Sequence, residues 1–217
     1  MSKQIINKNN VPTYMRLSFR ITLILIFFVI LTYEVLIWWT VLVDNSVYSW
    51  IMDKFSPDLT PIFISFTHIW GTYWIPIVAL ILTAIFVYKK RYRIYAILSI
   101  STPVIIYLTN TIIKNIIQRP RPDILRLVTE TWYSFPSWHT MHTVALYWLI
   151  ILLSFHLIKN KSLKRIIIIA SLFIMLWVTV SRIYLWVHYF SDIIWWILLS
   201  LIYLFVVKDF FFKKRTA

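Results

Sequence analysis

An arginine, a histidine and an aspartate fall within twelve residues in Ser181-Arg182-Ile183-Tyr184-Leu185-Trp186-Val187-His188-Tyr189-Phe190-Ser191-Asp192, between two strongly apolar runs. If the segment from Tyr189 onward is helical, His188 and Asp192 stand four apart and share a face. A carboxylate so placed takes one imidazole N–H, fixes the tautomer and leaves the other nitrogen free to attack. Arg182 adds a guanidinium fork that suits phosphate or carboxylate oxygens. Charges in a segment apolar enough for lipid cost about 3 kcal/mol each, so a functional reading comes first.

Two further polar clusters break the apolar pattern: Lys114-Asn-Ile-Ile-Gln-Arg-Pro-Arg121-Pro122 and Phe135-Pro-Ser137-Trp138-His139-Thr140. With the first stretch they supply two histidines, a lysine, arginines, a serine and an aspartate. This set suits phosphoryl transfer without a metal. Cations neutralise the non-bridging oxygens, a nucleophile attacks phosphorus, and an acid protonates the leaving oxygen. A metal hydrolase would need paired carboxylates or a ligand set, and Asp123, Glu130 and Asp192 are too scattered to suggest one.

The elements that must position these groups are membrane helices. The 217 residues are 60% hydrophobic and 14% charged, against about 25% charged in a soluble domain. Mean hydropathy is +0.77. The predicted fold class is all-α: one polytopic bundle of six transmembrane helices over residues 1–217, with basic tails at 1–16 and 208–217. The spans are expected at about 17–43, 61–88, 94–117, 139–158, 166–186 and 189–207, with a short interfacial helix within 44–60 that ends at Ser56-Pro57. The apolar run after the polar start is too long for a cleavable signal peptide, so none is expected. The absence of cysteine excludes disulfides and thiolate chemistry.

The net charge of +14 could suggest a nucleic-acid partner, but the placement of the charges argues for membrane topology. Lys and Arg concentrate in the N-terminal tail and first turn, the 89–93 and 159–165 loops and the C-terminal tail. With six spans these share one face, which the positive-inside tendency makes cytoplasmic. Both termini are then inside, and the reactive clusters face outward. Glu34 reads as a carboxylate paired within the bundle. His68 and His156 read as packing residues, and His142, three after His139, as its support. Arg119 and Arg126 stay open between solvated or headgroup-contacting arginines and phosphate ligands.

Lys114 followed after six residues by Arg121-Pro122, then Pro136-Ser137-x-His139, then Ser181-Arg182 followed by His188 and Asp192, resembles the three-part signature of the type 2 phosphatidic acid phosphatase (PAP2) family. Order, spacing, span number and outward placement agree over most of the chain. The resemblance implies a PAP2/haloperoxidase-like core and a phosphoric ester or diphosphate hydrolase that needs no metal or other cofactor. It makes His188 the nucleophile that forms a phosphohistidine and Asp192 the residue that orients it. His139 becomes the acid that protonates the leaving group and later activates water. Lys114, Arg121, Arg182 and Ser137 become the phosphate cradle. Undecaprenyl diphosphate, phosphatidylglycerophosphate and phosphatidic acid are candidate substrates. The competing reading is a non-catalytic lipid-binding relative or a transporter, although no inverted repeat appears.

The family's second motif has glycine where this chain has Trp138, so that backbone N–H groups approach phosphate closely. Trp186 precedes His188 by two, where a glycine is common, and Trp195-Trp196 follow Asp192 where a glycine pair is common. Trp70 and Trp132 also occupy positions that suit a small residue. The whole chain holds one glycine, Gly71, and twelve tryptophans, whereas about 7% glycine is usual. GGA and UGA differ by one base, and genetic codes differ in whether UGA means glycine or tryptophan. The sequence therefore suggests glycine codons written as tryptophan. An aromatic belt is the other explanation, but Trp148 and Trp177 fall near mid-span. If Trp138 and Trp186 are genuine, a filled site and the non-catalytic reading gain weight.

Overall fold

The computed structural model describes residues 39–89, 92–123, 125 and 127–208, with scattered positions between 22 and 33. The expected first span, Glu34, Arg126 and the two tails lie wholly or largely outside the described residues. The chain divides into two compact units, Met1–Leu42 and Val43–Ala217. The second unit holds all three polar clusters.

Among the described residues every regular element is a helix, without strands. Helix α1 (Trp39–Met52) begins earlier than the interfacial helix expected from sequence. It buries Asp44, Tyr48 and Ile51, a spacing of four and three that makes one helix face. Ser56 is extended, and Pro57 opens a short 3-10 turn, Pro57–Leu59. Helix α2 (Thr60–His68) then runs through a single π turn, Ile69–Tyr73, into α3 (Trp74–Tyr88). Helices α4 (Arg93–Ile117), α5 (Trp138–Leu157), α6 (Lys161–Tyr184) and α7 (Phe190–Val207) complete the unit. Among the described residues, five segments are long and apolar enough to cross a membrane: Pro57–Tyr88 and α4 to α7.

Helix α5 is the hub. It packs against α4, α6 and α7 and touches the π turn. Every residue from His139 to Tyr147 is buried, as expected of a helix enclosed by others rather than edged with lipid. Helix α6 starts five residues before the expected span because Asn160 caps it, accepting from the N–H groups of Ser162 and Leu163 at 2.9 and 3.0 Å. The short 158–160 link reverses α5 into α6, and 185–189 reverses α6 into α7. The α4 C-terminus, the α5 N-terminus, the α6 C-terminus and the α7 N-terminus therefore meet at one end. The polar 118–137 segment closes over that end, tied down by Ser134 N–H to the Arg119 carbonyl at 2.9 Å and Leu127 N–H to the Leu185 carbonyl at 3.3 Å.

Candidate active site

That end holds a cavity of about 280 Å³ lined by Lys114, Arg121, Glu130, His139 and His188, with walls from Tyr107, Asn110, Trp132 and Trp138. Each chemical group arrives on a different element. Lys114 stands in the last turn of α4 and Arg121 in the closing segment. His139 is in the first turn of α5, and His188 sits in the reversal before α7. The α5 N-terminus, which has no side-chain cap, points its first N–H groups towards this end, which favours an anion. Ser137 is the N-cap residue of α5, and its hydroxyl meets Thr140 Oγ1 at 3.1 Å.

His188 precedes α7 instead of sharing a helical face with Asp192. Asp192 is the third residue of α7, and its Oδ2 accepts the Tyr189 N–H at 3.0 Å. The same oxygen lies 3.6 Å from His188 Nδ1, which is near but beyond hydrogen-bond length. His188 Nε2 faces Arg121 Nη1 at 3.4 Å, and its carbonyl accepts from the Tyr48 hydroxyl at 2.9 Å. Arg121 also donates from Nη1 to the Val187 carbonyl at 2.7 Å, so one guanidinium braces the whole reversal. The His188 pKa is held well below the ordinary imidazole value, first by burial and then by the cations Arg121, Arg182 and Lys114. The ring is therefore neutral and nucleophilic around neutrality.

His139 is held from the π turn: its Nε2 meets Thr72 Oγ1 at 2.9 Å. Its Nδ1 has no hydrogen-bond partner among the described residues. Gly71 lets the π turn pass this close, since a Cβ there would lie 3.0 Å from His139 Cδ2. Arg182 is completely buried and does not line the cavity directly. Its Nη2 binds Glu130 Oε1, while Glu130 Oε2 lies 3.7 Å from Arg121 Nη2. The Glu130 carboxylate thus spans the two arginines where an anion would sit.

Sequence reasoning missed Glu130, Thr72 and Asp44. It left Arg119 open, and the structure gives that residue a definite place. Arg119 binds Asp192 Oδ1 through Nη1 and Asp44 Oδ2 through Nη2 at 3.0 Å, and its guanidinium lies 4.0 Å over the Tyr189 ring. Burial would lower its pKa, but the Asp192 and Asp44 carboxylates outweigh that and raise it. A carboxylate four residues before Tyr48 on one helical face was the available signal for Asp44, which shares its stretch with Asp53 and Asp58. Thr72 had only its adjacency to the single glycine.

The other histidines depart from the expectation: His142 is tied to backbone carbonyls rather than to His139, and His68 and His156 are exposed instead of packed. The His142 ring stands between the Trp138 and Pro103 carbonyls, at 3.1 and 3.2 Å. His156 meets the Leu152 carbonyl at 2.9 Å at the far end of α5. His68 is exposed, with its ring edge-on to His139 at 6.4 Å.

Residues 72–216 match the PAP2 superfamily. The chain belongs to that family. Among curated proteins, the PAP2 chain is 32% identical over 161 residues to phosphatidylglycerophosphatase B of Bacillus subtilis, covering 71% of this chain and 76% of that protein. Among solved structures, it matches the transmembrane PAP2-type phosphatidylglycerolphosphate phosphatase of Bacillus subtilis with a TM-score of 0.78 and 26% identity. That match covers 90% of this chain and 98% of the other. The PAP2 chain is thus a membrane phosphatase of the phosphoric ester hydrolase class.

In this PAP2 site Trp138 does not fill the cavity. It is half-buried, stacks on His142 with centroids 3.7 Å apart and meets Tyr107 edge-on at 5.3 Å. Trp138 and Tyr107 form a wall shared with an apolar groove of about 360 Å³, lined by Ile75, Ala79, Leu80, Ile100 and Val104 among others, between α3 and α4.

Proposed function

We propose that this PAP2 protein hydrolyses a lipid phosphomonoester of the phosphatidylglycerophosphate type at the outer membrane face, through a phosphohistidine on His188. The observation that carries the reading is the cavity in which Lys114, Arg121, His139 and His188 meet, separated by one aromatic wall from an apolar groove. A phosphate headgroup fits the first compartment and an acyl chain the second. The names of the two Bacillus subtilis relatives favour phosphatidylglycerophosphate over the other candidates.

Nδ1 of His188 faces Asp192, so Nε2 attacks phosphorus and the bond from phosphorus to the lipid oxygen breaks. Arg121 and Lys114 hold the phosphate oxygens from the cavity wall, while Arg182 and Ser137 support it from behind. Arg182 acts once Glu130 gives way to the substrate. His139 protonates the departing lipid oxygen from Nδ1, the nitrogen that Thr72 does not engage. Now neutral, it takes a proton from water, which attacks phosphorus and breaks the phosphorus–nitrogen bond. Inorganic phosphate leaves and His188 is restored. The basic 89–93 and 159–165 links lie at the opposite ends of the same helices, which supports an outward-facing site.

The test is phosphate release from detergent-solubilised phosphatidylglycerophosphate, phosphatidic acid and undecaprenyl diphosphate, with a chelator present. Turnover is expected to be fastest on the first and unaffected by the chelator. His188→Ala is expected to lose activity by at least about a thousandfold. Undiminished turnover in His188→Ala overturns the mechanism.

A further inference from the structure

Arg119 lies two residues from Arg121, yet its charge turns away from the phosphate cavity and towards two buried carboxylates. Asp192 and Asp44 are 0% and 1% exposed. Neither Arg119, Asp44 nor Asp192 lines the cavity. Asp44 is itself held by the α7 N-terminus, accepting the Ser191 N–H at 2.8 Å and the Ser191 hydroxyl at 2.7 Å. The Ser191 oxygen in turn accepts from Arg119 Nη1 at 2.9 Å. The cluster is thus knit together on the side away from the substrate.

We propose that Asp44 and Arg119 are positioning residues that set the orientation and basicity of Asp192, and through it of His188. The proposal rests on the reading of His188 as nucleophile. Arg119 pins Oδ1 of Asp192 and the Tyr189 N–H holds Oδ2, which faces His188 Nδ1 from 3.6 Å. The Asp192 carboxylate is thereby held in one rotamer with one oxygen presented to the imidazole. Asp44 takes the other arm of the Arg119 fork and so divides its positive charge between two anions. Without Asp44, Arg119 would bind Asp192 undivided, drawing the carboxylate from His188 and weakening its hold on the imidazolium-like Nδ1–H that phosphorylation creates.

The test compares initial rates, KM and pH profiles of Asp44→Asn, Arg119→Lys and Ser191→Ala with the parent in detergent. Expected is a fall in kcat of about tenfold for Asp44→Asn with KM within about twofold, since none of these groups touches substrate. The acid limb of the pH profile should also move. Arg119→Lys keeps the charge but loses the fork, and should fall at least as far. In an Asp192→Asn background, Asp44→Asn should have no further effect on kcat. Full additivity in that pair, or a change in KM alone, overturns the proposal. If Asp44→Asn does not fold, Ser191→Ala carries the same comparison. His188→Ala separates the two readings. Retained turnover there sinks the nucleophile assignment, whereas an inactive His188→Ala beside an unaltered Asp44→Asn sinks the positioning proposal alone.

A second inference rests on different observations. Trp186 has φ of 59°, a left-handed conformation that suits glycine and strains a bulky residue. It is fully buried, and the indole N–H groups of Trp186, Trp196 and Trp177 have no partner among the described residues, although buried indoles normally find one. We infer that the natural product carries glycine at position 186 and at further tryptophan positions, through UGA codons that the source cell reads as glycine. The codons and the peptide masses test this. UGA at position 186, with a glycine residue mass in protein from the source cell, is expected. A UGG codon, or a tryptophan mass there, overturns it.

Discussion

In the proposed mechanism His188 attacks phosphorus only while its ring is neutral, and its surroundings keep it so. Burial and the three cations facing it hold its pKa well below the usual 6.5. As pH falls through 6.5 an ordinary histidine would gain a proton and lose its nucleophilic lone pair. Here the acid limb of kcat/KM set by the nucleophile should therefore lie below pH 6.5, and a pH–rate profile on a lipid phosphate checks this. The same shift bears on stability. The unfolded chain takes up a proton below its own pKa that the folded chain refuses, so acidification through that window favours unfolding. At His139 the partner is a neutral hydroxyl. Thr72→Val removes a 2.9 Å contact and should slow kcat roughly tenfold, from about 1–1.5 kcal/mol of lost orientation, with KM little changed.

At the scale of elements, the π turn and the α7 start do the placing. The extra residue in Ile69–Tyr73 brings Thr72 onto His139, in keeping with the use of such bulges at functional sites. It can do so because Gly71 has no Cβ. Gly71→Ala would set a methyl 3.0 Å from His139 Cδ2 and 3.3 Å from Val178 Cγ1, so α5 or the π turn must shift. The expected outcome is a loss of about 1–3 kcal/mol in stability and at least about a tenfold fall in kcat, measured by thermal unfolding in detergent and by turnover. The α7 start corrects the simplest sequence argument. Four-residue spacing suggested a shared helical face for His188 and Asp192. The Val187–His188 reversal instead puts the histidine outside the helix, and Asp192 reaches back as an N-terminal capping carboxylate.

Across the described helices, basic residues at Lys89, Arg93 and 159–165 stand at the ends away from the reactive cavity, and the proposed topology puts the two ends on opposite membrane faces. The chain has no cysteine, so single substitutions report the topology without background. Lys161→Cys in intact cells should resist a membrane-impermeant maleimide, and Asp58→Cys should react with it. The reverse pattern would invert the orientation. The five described spans and the meeting of Lys114, Arg121, His139 and His188 at one end follow from short-range information. Apolar runs long enough for lipid, basic residues at alternate ends and three fixed-spacing motifs each draw on residues close together along the chain. The order of amino acids alone was therefore enough for the five described spans and for the gathering of His188, His139, Lys114 and Arg121 at one end of them. Long-range packing settled the rest: Arg119 serves Asp192 and Asp44 instead of phosphate, Glu130 bridges Arg121 and Arg182, and Thr72 holds His139. Each of these contacts joins residues 52 or more positions apart or sits within an irregular loop, where no helical period fixes which side chain a charge will meet.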